Sequence, residues 1–522
     1  MIPAYPDLRQ KDRIKLSIPT LCGLILGLGI LWFFRWSAQS VYANPSTLFV
    51  FANGSGTTCS QTQPCSLTTA LNQAADGDQI ILSRGRYTGG GGAVITITRN
   101  LSLYGGWDGT SQVPFVRNPK VYISIVDGEK ERRGIFAAQG IQAEIDGIEV
   151  RFGSHASIGA GMYARLSDIT LREMTFFSNV VAGPLNSLGG GAAFEGGTIR
   201  IETSRFENNA NLGITDDSKG GGLVISGTNS AIITGCVFTE NDGWVASGIY
   251  FEGQPYELRT LELINNAFID NGKGSSGAGS GGFSGIGEIG FSHAVVSGNS
   301  FRGNYAIVER GGLFVWGSQL ELTRNLFWKQ ESGGISALQL LLVNPFTVTN
   351  NIIAGNTNLL AGNIPIIRIG YSRGSIVHNT LVGNGSDTGL LITNGSVVTI
   401  THSIVAGFSD GITITNLSTV SLGTNLWGSG EWSNNRDYIG NTTEISSSTQ
   451  IHGNPLFSNA QQGDFHITAA SPAHDAVTQG YIPVDIDGQF RPNELAYDLG
   501  ADEYYQQVIP INPIILLPLI RR

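Results

Sequence analysis

The chain has 522 residues, 71 of them Gly, with only 14% charged side chains and a formal net charge of −10. No Gly-X-Y period is present, which excludes collagen, and the aliphatic content excludes wholesale disorder. Residues 1–43 carry +3, from five basic and two acidic side chains, so the remainder carries −13. An acidic body without basic runs argues against nucleic acid as a partner and against docking on anionic lipid by bulk attraction.

The chain opens on a polar, basic stretch (1–16) followed by an almost wholly apolar one, SIPTLCGLILGLGILWFF (17–34), and Arg35. Val41 and Ala43 then stand at the −3 and −1 positions of a signal-peptidase site. This is a secretory signal layout. The apolar run is also long enough to serve as an uncleaved transmembrane anchor, with its basic flank in the cytoplasm. Either reading places the body outside, secreted or at the cell surface. In that oxidising compartment Cys59 and Cys65 can close a small disulfide loop. Cys236, beside Val237-Phe238, reads as a buried free thiol, and no Cys/His set has zinc spacing.

A six-residue pattern, Asn-x-Φ-x-x-Asn with Φ apolar, recurs with its Φ position at Phe176, Phe206, Phe238, Phe268, Phe301, Phe327, Ile353 and Leu381. Weaker copies are centred on Ile404 and Trp427, and Ile148 extends the series upstream. From Phe176 onward, successive copies lie 23 to 33 residues apart. Alternating segments such as Ile199-Arg-Ile201 and Leu320-Glu-Leu322 precede them, with the period of two that marks strands. Glycine clusters such as Gly189-Gly190-Gly191 separate the copies. One such unit cannot bury its apolar face alone, but stacked units form parallel ladders around one core. The expectation is an all-β parallel β-helix of about ten to twelve coils. Φ residues should form one column, with Asn at corners, where that residue tolerates the left-handed region. An all-β sandwich would show hairpin spacing and no such repeat.

These residues resemble the right-handed parallel β-helix (pectin-lyase-like) superfamily over about residues 45–430. Phe51-Ala-Asn-Gly-Ser55, Leu67-Thr-Thr-Ala-Leu71 and Gly77-Asp-Gln-Ile80 look like the N-terminal cap of secreted members. That resemblance implies a short capping helix at about 67–75. Gly453-Asn-Pro-Leu-Phe457, Ser471-Pro-Ala-His-Asp475, Asp485-Ile-Asp-Gly-Gln489 and Asp498-Leu-Gly-Ala-Asp-Glu-Tyr504 resemble the choice-of-anchor Q type of bacterial surface protein. The domain expectation is thus a signal or anchor (1–43), an N-terminal cap with first strands (44–100), the β-helix (101–430), a small C-terminal β/loop cap (431–505) and an apolar attachment tail (506–522).

The fold hosts polysaccharide lyases and glycoside hydrolases, but fold alone assigns no activity. Asp216-Asp217 lacks the companion motifs of polygalacturonases, and adjacent carboxylates on a strand point to opposite faces. Glu149 with Arg151, or Glu207 with Arg205, could neighbour across coils as a lyase would need. Asp485-x-Asp487-Gly488 resembles the start of a Ca²⁺ loop without its later ligands, so Ca²⁺ is the one cofactor considered, and a backbone-satisfying turn is the plainer reading. His402 stands at a repeat Asn position, which suits a corner role. Sugar-stacking candidates are Trp107, Trp244, Trp316, Trp328, Trp427 and Trp432. Trp244 and Trp432 lie in polar, Gly-rich loops, Trp107 follows Tyr104-Gly-Gly, and alternation assigns Trp316 to the core.

The sequence therefore reads as a monomeric, exported β-helix with an adhesive, carbohydrate-binding or scaffolding role toward extracellular or cell-wall polysaccharide. The alternative is a polysaccharide lyase or glycosidase with a divergent site. The longest loop-rich insertions are 211–222 and 272–290, and the second, Gly/Ser-rich and nearly charge-free, tilts against catalysis.

Overall fold

The computed structural model describes residues 45–505, without 255–256, 258, 274–284, 309, 361–362, 441–444 and 481. All of these but Pro45 belong to the compact unit that begins at Ser46. The apolar stretch 17–34 and the tail 506–522 lie outside the described residues. No helix among the described residues is long and apolar enough to cross a membrane.

The chain winds into a right-handed parallel β-solenoid of about 14 turns. Each coil contributes one strand to each of three parallel sheets, which hold 15, 14 and 13 strands among the described residues. In chain order within a coil, the first sheet is exemplified by Thr198–Glu202, the second by Arg205–Glu207 and the third by Leu223–Ser226. The count exceeds the ten to twelve coils expected from the repeat. The earliest coils, with second-sheet strands at Gly85–Tyr87 and Ser124–Asp127, carry no Asn-x-Φ-x-x-Asn motif by which to count them.

Strand alternation decides which side faces the core. In Thr198–Glu202, Ile199 and Ile201 are buried while Thr198 and Arg200 are exposed. The motif's Φ residues pair in register from Phe176 through Phe206, Phe238, Phe268, Phe301 and Phe327 to Ile353 and Leu381. The six Phe rings stack with centroids 4.5–5.1 Å apart. The column then runs to Val405 and Trp427, so Ile404 is displaced from it by one residue. Ile404 points outward, where the C-terminal segment covers it. Upstream the column member is Val150, which pairs with Phe176, and Ile148 is two residues away from it. Ile404 and Val405 are adjacent and both apolar, so hydrophobicity alone does not identify the inward one, whereas Ile148 and Val150 both face the core.

The two Asn positions form two buried ladders. At the corner between first and second sheets, Asn266, Asn299, Asn325, Asn351 and Asn379 each donate through Nδ2 to a backbone carbonyl, and the first four also donate to the next Asn Oδ1 at 2.9–3.0 Å. Asn179, Asn209, Asn241, Asn271, Asn304 and Gln330 repeat the arrangement at the next corner. Contrary to expectation, the ladder asparagines are not the left-handed residues. That conformation falls on the residue before them, as at Asn265 (φ 54), Asn350 (φ 52), His378 (φ 52) and His402 (φ 53). His402 is thus a corner residue, preceding the ladder member Ser403 and lying 4.9 Å from the His378 ring.

At the N-terminal end, Ser66 caps the helix Leu67–Gln73 by accepting the Thr69 N–H. Leu67 and Ala70 enter the core beside the Cys59–Cys65 disulfide. Cys236 is a buried free thiol, and burial pushes it up to about 12. The C-terminal segment packs on outward-facing side chains of the second sheet. Phe465, Ile486 and Ala501 meet Ile352, Ala354 and Val382, while Ile467, Ala473 and Leu499 meet Ile404, Ala406 and Leu426. Buried Arg491 pins it, bonding Glu503 at 3.0 Å, the Gly500 carbonyl at 2.9 Å and Asn350 Oδ1 at 3.4 Å.

Candidate functional site

The corners are unequal, and this locates the site. Two residues, Thr203 and Ser204, turn the chain from first to second sheet, and two, Gly196 and Gly197, from third to first. The connection from second to third sheet is long, as at 208–222 and 240–248. These segments border the third sheet, whose outward face carries a different side-chain set from the other two.

In register along the solenoid, one outward column of the third sheet is Phe136, Tyr163, Ala193, Val224, Tyr250, Glu288, Phe314, Gln339 and Arg368. The column two residues on carries Glu195, Ser226, Glu252, Gly290 and Trp316. Between them lies an open groove of about 410 Å³, lined by Tyr250, Glu252, Glu288, Phe314 and Trp316 with Asp216, Lys219, Val245 and Arg310 from the connecting loops. Gly290 makes room for the Trp316 indole, since a Cβ there would sit 2.5 Å from its Cε2.

The polar groups are paired across the groove. The Tyr250 hydroxyl donates to Glu252 Oε2 at 2.8 Å. Lys219 Nζ lies 3.6 Å from the same carboxylate and 4.6 Å from the Tyr250 ring centroid. Arg310 bonds Glu288 Oε1 at 2.9 Å and Gln339 Oε1 at 3.1 Å, with its guanidinium 3.9 Å over the Phe314 ring. Burial, reinforced by Glu252, drives the Tyr250 hydroxyl well above its ordinary range, so it stays a neutral donor. Tyr163, further along the column, is pushed up to about 12 by burial and by its bond to Glu195.

Of the sequence candidates, Trp244 belongs here. It is half-buried, packs with Val224, Val245 and Tyr250, and its Nε1–H donates to Asp216 Oδ1 at 3.4 Å. Trp316 corrects its core assignment: Leu313 and Val315 turn inward, and Phe314 and Trp316 outward. Trp107 is also corrected as a sugar-stacking residue. It is fully buried, stacked 5.1 Å from Phe51 and edge-on to Phe49, which leaves no face for a ligand. Trp427 is fully buried in the Φ column. Trp328 lies under Arg302 and Lys329 on the second sheet. Trp432 is half-buried, edge-on to Phe457 between the last coils and the C-terminal segment. Glu149 meets Arg151 at 3.5 Å and Glu207 meets Arg205 at 3.1 Å, each pair two residues apart on one second-sheet strand rather than across coils.

Asp485 accepts backbone N–H groups of Asp487 and Gln489 on one oxygen and of Glu503 on the other, the turn arrangement. Asp487 instead meets His466 at 2.8 Å. His466, Asp487 and Asp502 bring potential ligand atoms within 4.8 Å of one another, as do His474, Asp475 and Glu494. Burial alone would depress the His466 imidazole, but hydrogen bonds to Asp464 and Asp487 push it up to about 11. The imidazole, so protonated, donates to both carboxylates.

Tyr250, Glu252, Glu288, Lys219, Arg310 and Phe314 were not singled out by sequence reasoning. They come from coils 22 to 38 residues apart and share no motif. The available signal was the long insertion 211–222, which brings Asp216 and Lys219 to this groove.

A family model described as "Right handed beta helix region" matches residues 116–285. No curated protein matches the sequence. Among solved structures, the chain is similar to pectate lyase Pel9A, with 13% identity over 89% of this chain and 97% of that one and a TM-score of 0.38. It is similar to tailspike protein 3 of bacteriophage CBA120, with 11% identity, 77% and 61% coverage and a TM-score of 0.45. It is also similar to the A-module of the Azotobacter vinelandii mannuronan C-5 epimerase AlgE6, with 15% identity, 78% and 100% coverage and a TM-score of 0.31. None of these likenesses assigns an activity to this chain.

Proposed function

We propose that this protein is an exported β-helix, secreted or displayed at the cell surface, whose third-sheet groove binds a glycan chain in an adhesive role. The observation that carries this is the meeting of Tyr250, Phe314 and Trp316 with the Lys219–Glu252 and Arg310–Glu288 pairs in one open groove. A pyranose has an apolar C–H face and a rim of hydroxyls. Rings receive the first, and fixed charged donors and acceptors receive the second. The groove runs along stacked coils spaced about 4.8 Å apart, comparable to the length of one sugar residue, so successive sugars meet successive coils. The Cys59–Cys65 disulfide fits an oxidising compartment.

A glycan array with the purified protein tests this. Retention on one glycan class, abolished by Trp316→Ala and kept by Trp432→Ala, is the expected result. Binding unaffected by Trp316→Ala, or none at all, overturns the reading. New reducing ends or unsaturated-sugar absorbance on incubation with the bound glycan would show a catalyst rather than an adhesin.

A further inference from the structure

We infer that the groove selects neutral glycans and rejects uronate chains, because each cation among the described residues that faces it is already neutralised by a carboxylate of the protein. The inference rests on the glycan-binding reading above and deepens it. Recognition of a uronate needs a cation whose charge is available to the sugar carboxylate. Arg310 Nη1 lies 2.9 Å from Glu288 Oε1, its Nε is 3.1 Å from Gln339 Oε1, and its guanidinium plane covers the Phe314 ring. Lys219 Nζ lies 3.6 Å from Glu252 Oε2 and against the Tyr250 ring. Asp216 adds a third carboxylate to the lining, held by the Trp244 indole N–H. Among the described residues the groove therefore presents three carboxylates against two cations.

A uronate entering it must break an ion pair to gain one, and then faces the carboxylate it displaced. Like charges brought together in a half-buried site repel more strongly than in water. A sugar hydroxyl meets no such cost. It donates to a carboxylate lone pair of Glu252 or Glu288 and accepts from an N–H of Lys219 or Arg310, with both ion pairs intact. The long-range field acts the same way. The chain carries −10, with +3 in residues 1–43 and +2 from Arg521 and Arg522, which leaves −15 on residues 44–505. A polyanion is repelled on approach, most strongly at low ionic strength.

The test uses a matched pair, β-1,4-mannohexaose and the β-1,4-mannuronate hexamer, which differ only in the carboxylate at C5, flanked by neutral gluco-, galacto- and xylo-oligosaccharides. Calorimetric titrations with the full exported chain are run with EDTA and with Ca²⁺, at low and high salt. The expected result is binding of at least one neutral series, with uronates at least about tenfold weaker at low salt and the gap narrowing as salt rises. The variant E252Q/E288Q keeps the shape and frees both cations. It should gain uronate affinity by about tenfold or more at low salt. If that variant does not fold, E252Q alone gives the same comparison at Lys219. Wild-type binding of uronates as tight as neutral chains, in EDTA or only with Ca²⁺ bridging, overturns the inference and leaves the glycan-binding reading standing. Failure of every neutral and uronate chain to bind overturns the glycan-binding reading itself, and the selectivity falls with it.

Discussion

Asn299 sits in the middle of the first Asn ladder and is fully buried. Its Nδ2 donates to the Leu263 carbonyl at 2.7 Å, the Ser297 carbonyl at 3.2 Å and Asn325 Oδ1 at 2.9 Å. Its Oδ1 accepts the Asn266 backbone N–H at 2.8 Å and the Asn266 Nδ2 at 3.0 Å. Asn299→Ala therefore strips five bonds from a buried corner and leaves the Asn266 N–H without an acceptor. One orphaned buried group costs about 1–3 kcal/mol. With the shared donors weakened as well, the substitution should cost about 3–5 kcal/mol. Asn299→Ser is the control, because serine occupies this ladder naturally: Ser204 accepts the Met174 N–H and Ser403 the Asn379 N–H, each at 3.1 Å. It should recover the acceptor and cost only about 1–2 kcal/mol. Guanidinium unfolding followed by circular dichroism reads both, as midpoint shifts at unchanged slope. A loss below about 1 kcal/mol for Asn299→Ala, or equal losses for the two variants, would refute the ladder as a source of stability.

Cys59→Ser with Cys65→Ser opens a loop between residues six apart in sequence and should cost roughly 2–3 kcal/mol; a melting temperature unchanged under reducing conditions contradicts it. His466 is raised in the folded state, so its contribution is fully present below its unfolded value of about 6.5 and is lost as pH climbs toward about 11. Wild type should lose more melting temperature than His466→Gln between about pH 7 and pH 10, and parallel losses would show that the imidazolium does not hold the C-terminal segment. Gly290→Leu drives a side chain into the Trp316 indole and should abolish glycan retention, while circular dichroism stays that of a β-protein. Retention at wild-type level would remove Trp316 from the groove's working set.

The sequence makes the solenoid legible because stacking is periodic. Phe176 through Leu381 stand in register as the repeat predicts, since a column that must fill one core row tolerates no slip. The reading slips where both faces of a strand are apolar. Ile404 serves the contact with the C-terminal segment while Val405 fills the column. Trp316 and Val315 are likewise both apolar, and nothing local says which turns inward. Trp107 shows the opposite failure, because its Gly-rich context suggested exposure while Phe49 and Phe51 enclose it. The groove was not legible because its members become neighbours only through coil stacking. Glu252 and Lys219 meet across 33 residues of sequence, and Glu288 and Arg310 across 22.

A crystal structure of the protein with a bound neutral oligosaccharide tests the groove's role most directly. The oligosaccharide should lie along the third sheet, with sugar faces over Tyr250, Phe314 and Trp316 and hydroxyls on Glu252, Glu288, Lys219 and Arg310. A glycan seated elsewhere, such as beside Trp432 or against the C-terminal segment, with the groove left to solvent, would contradict it.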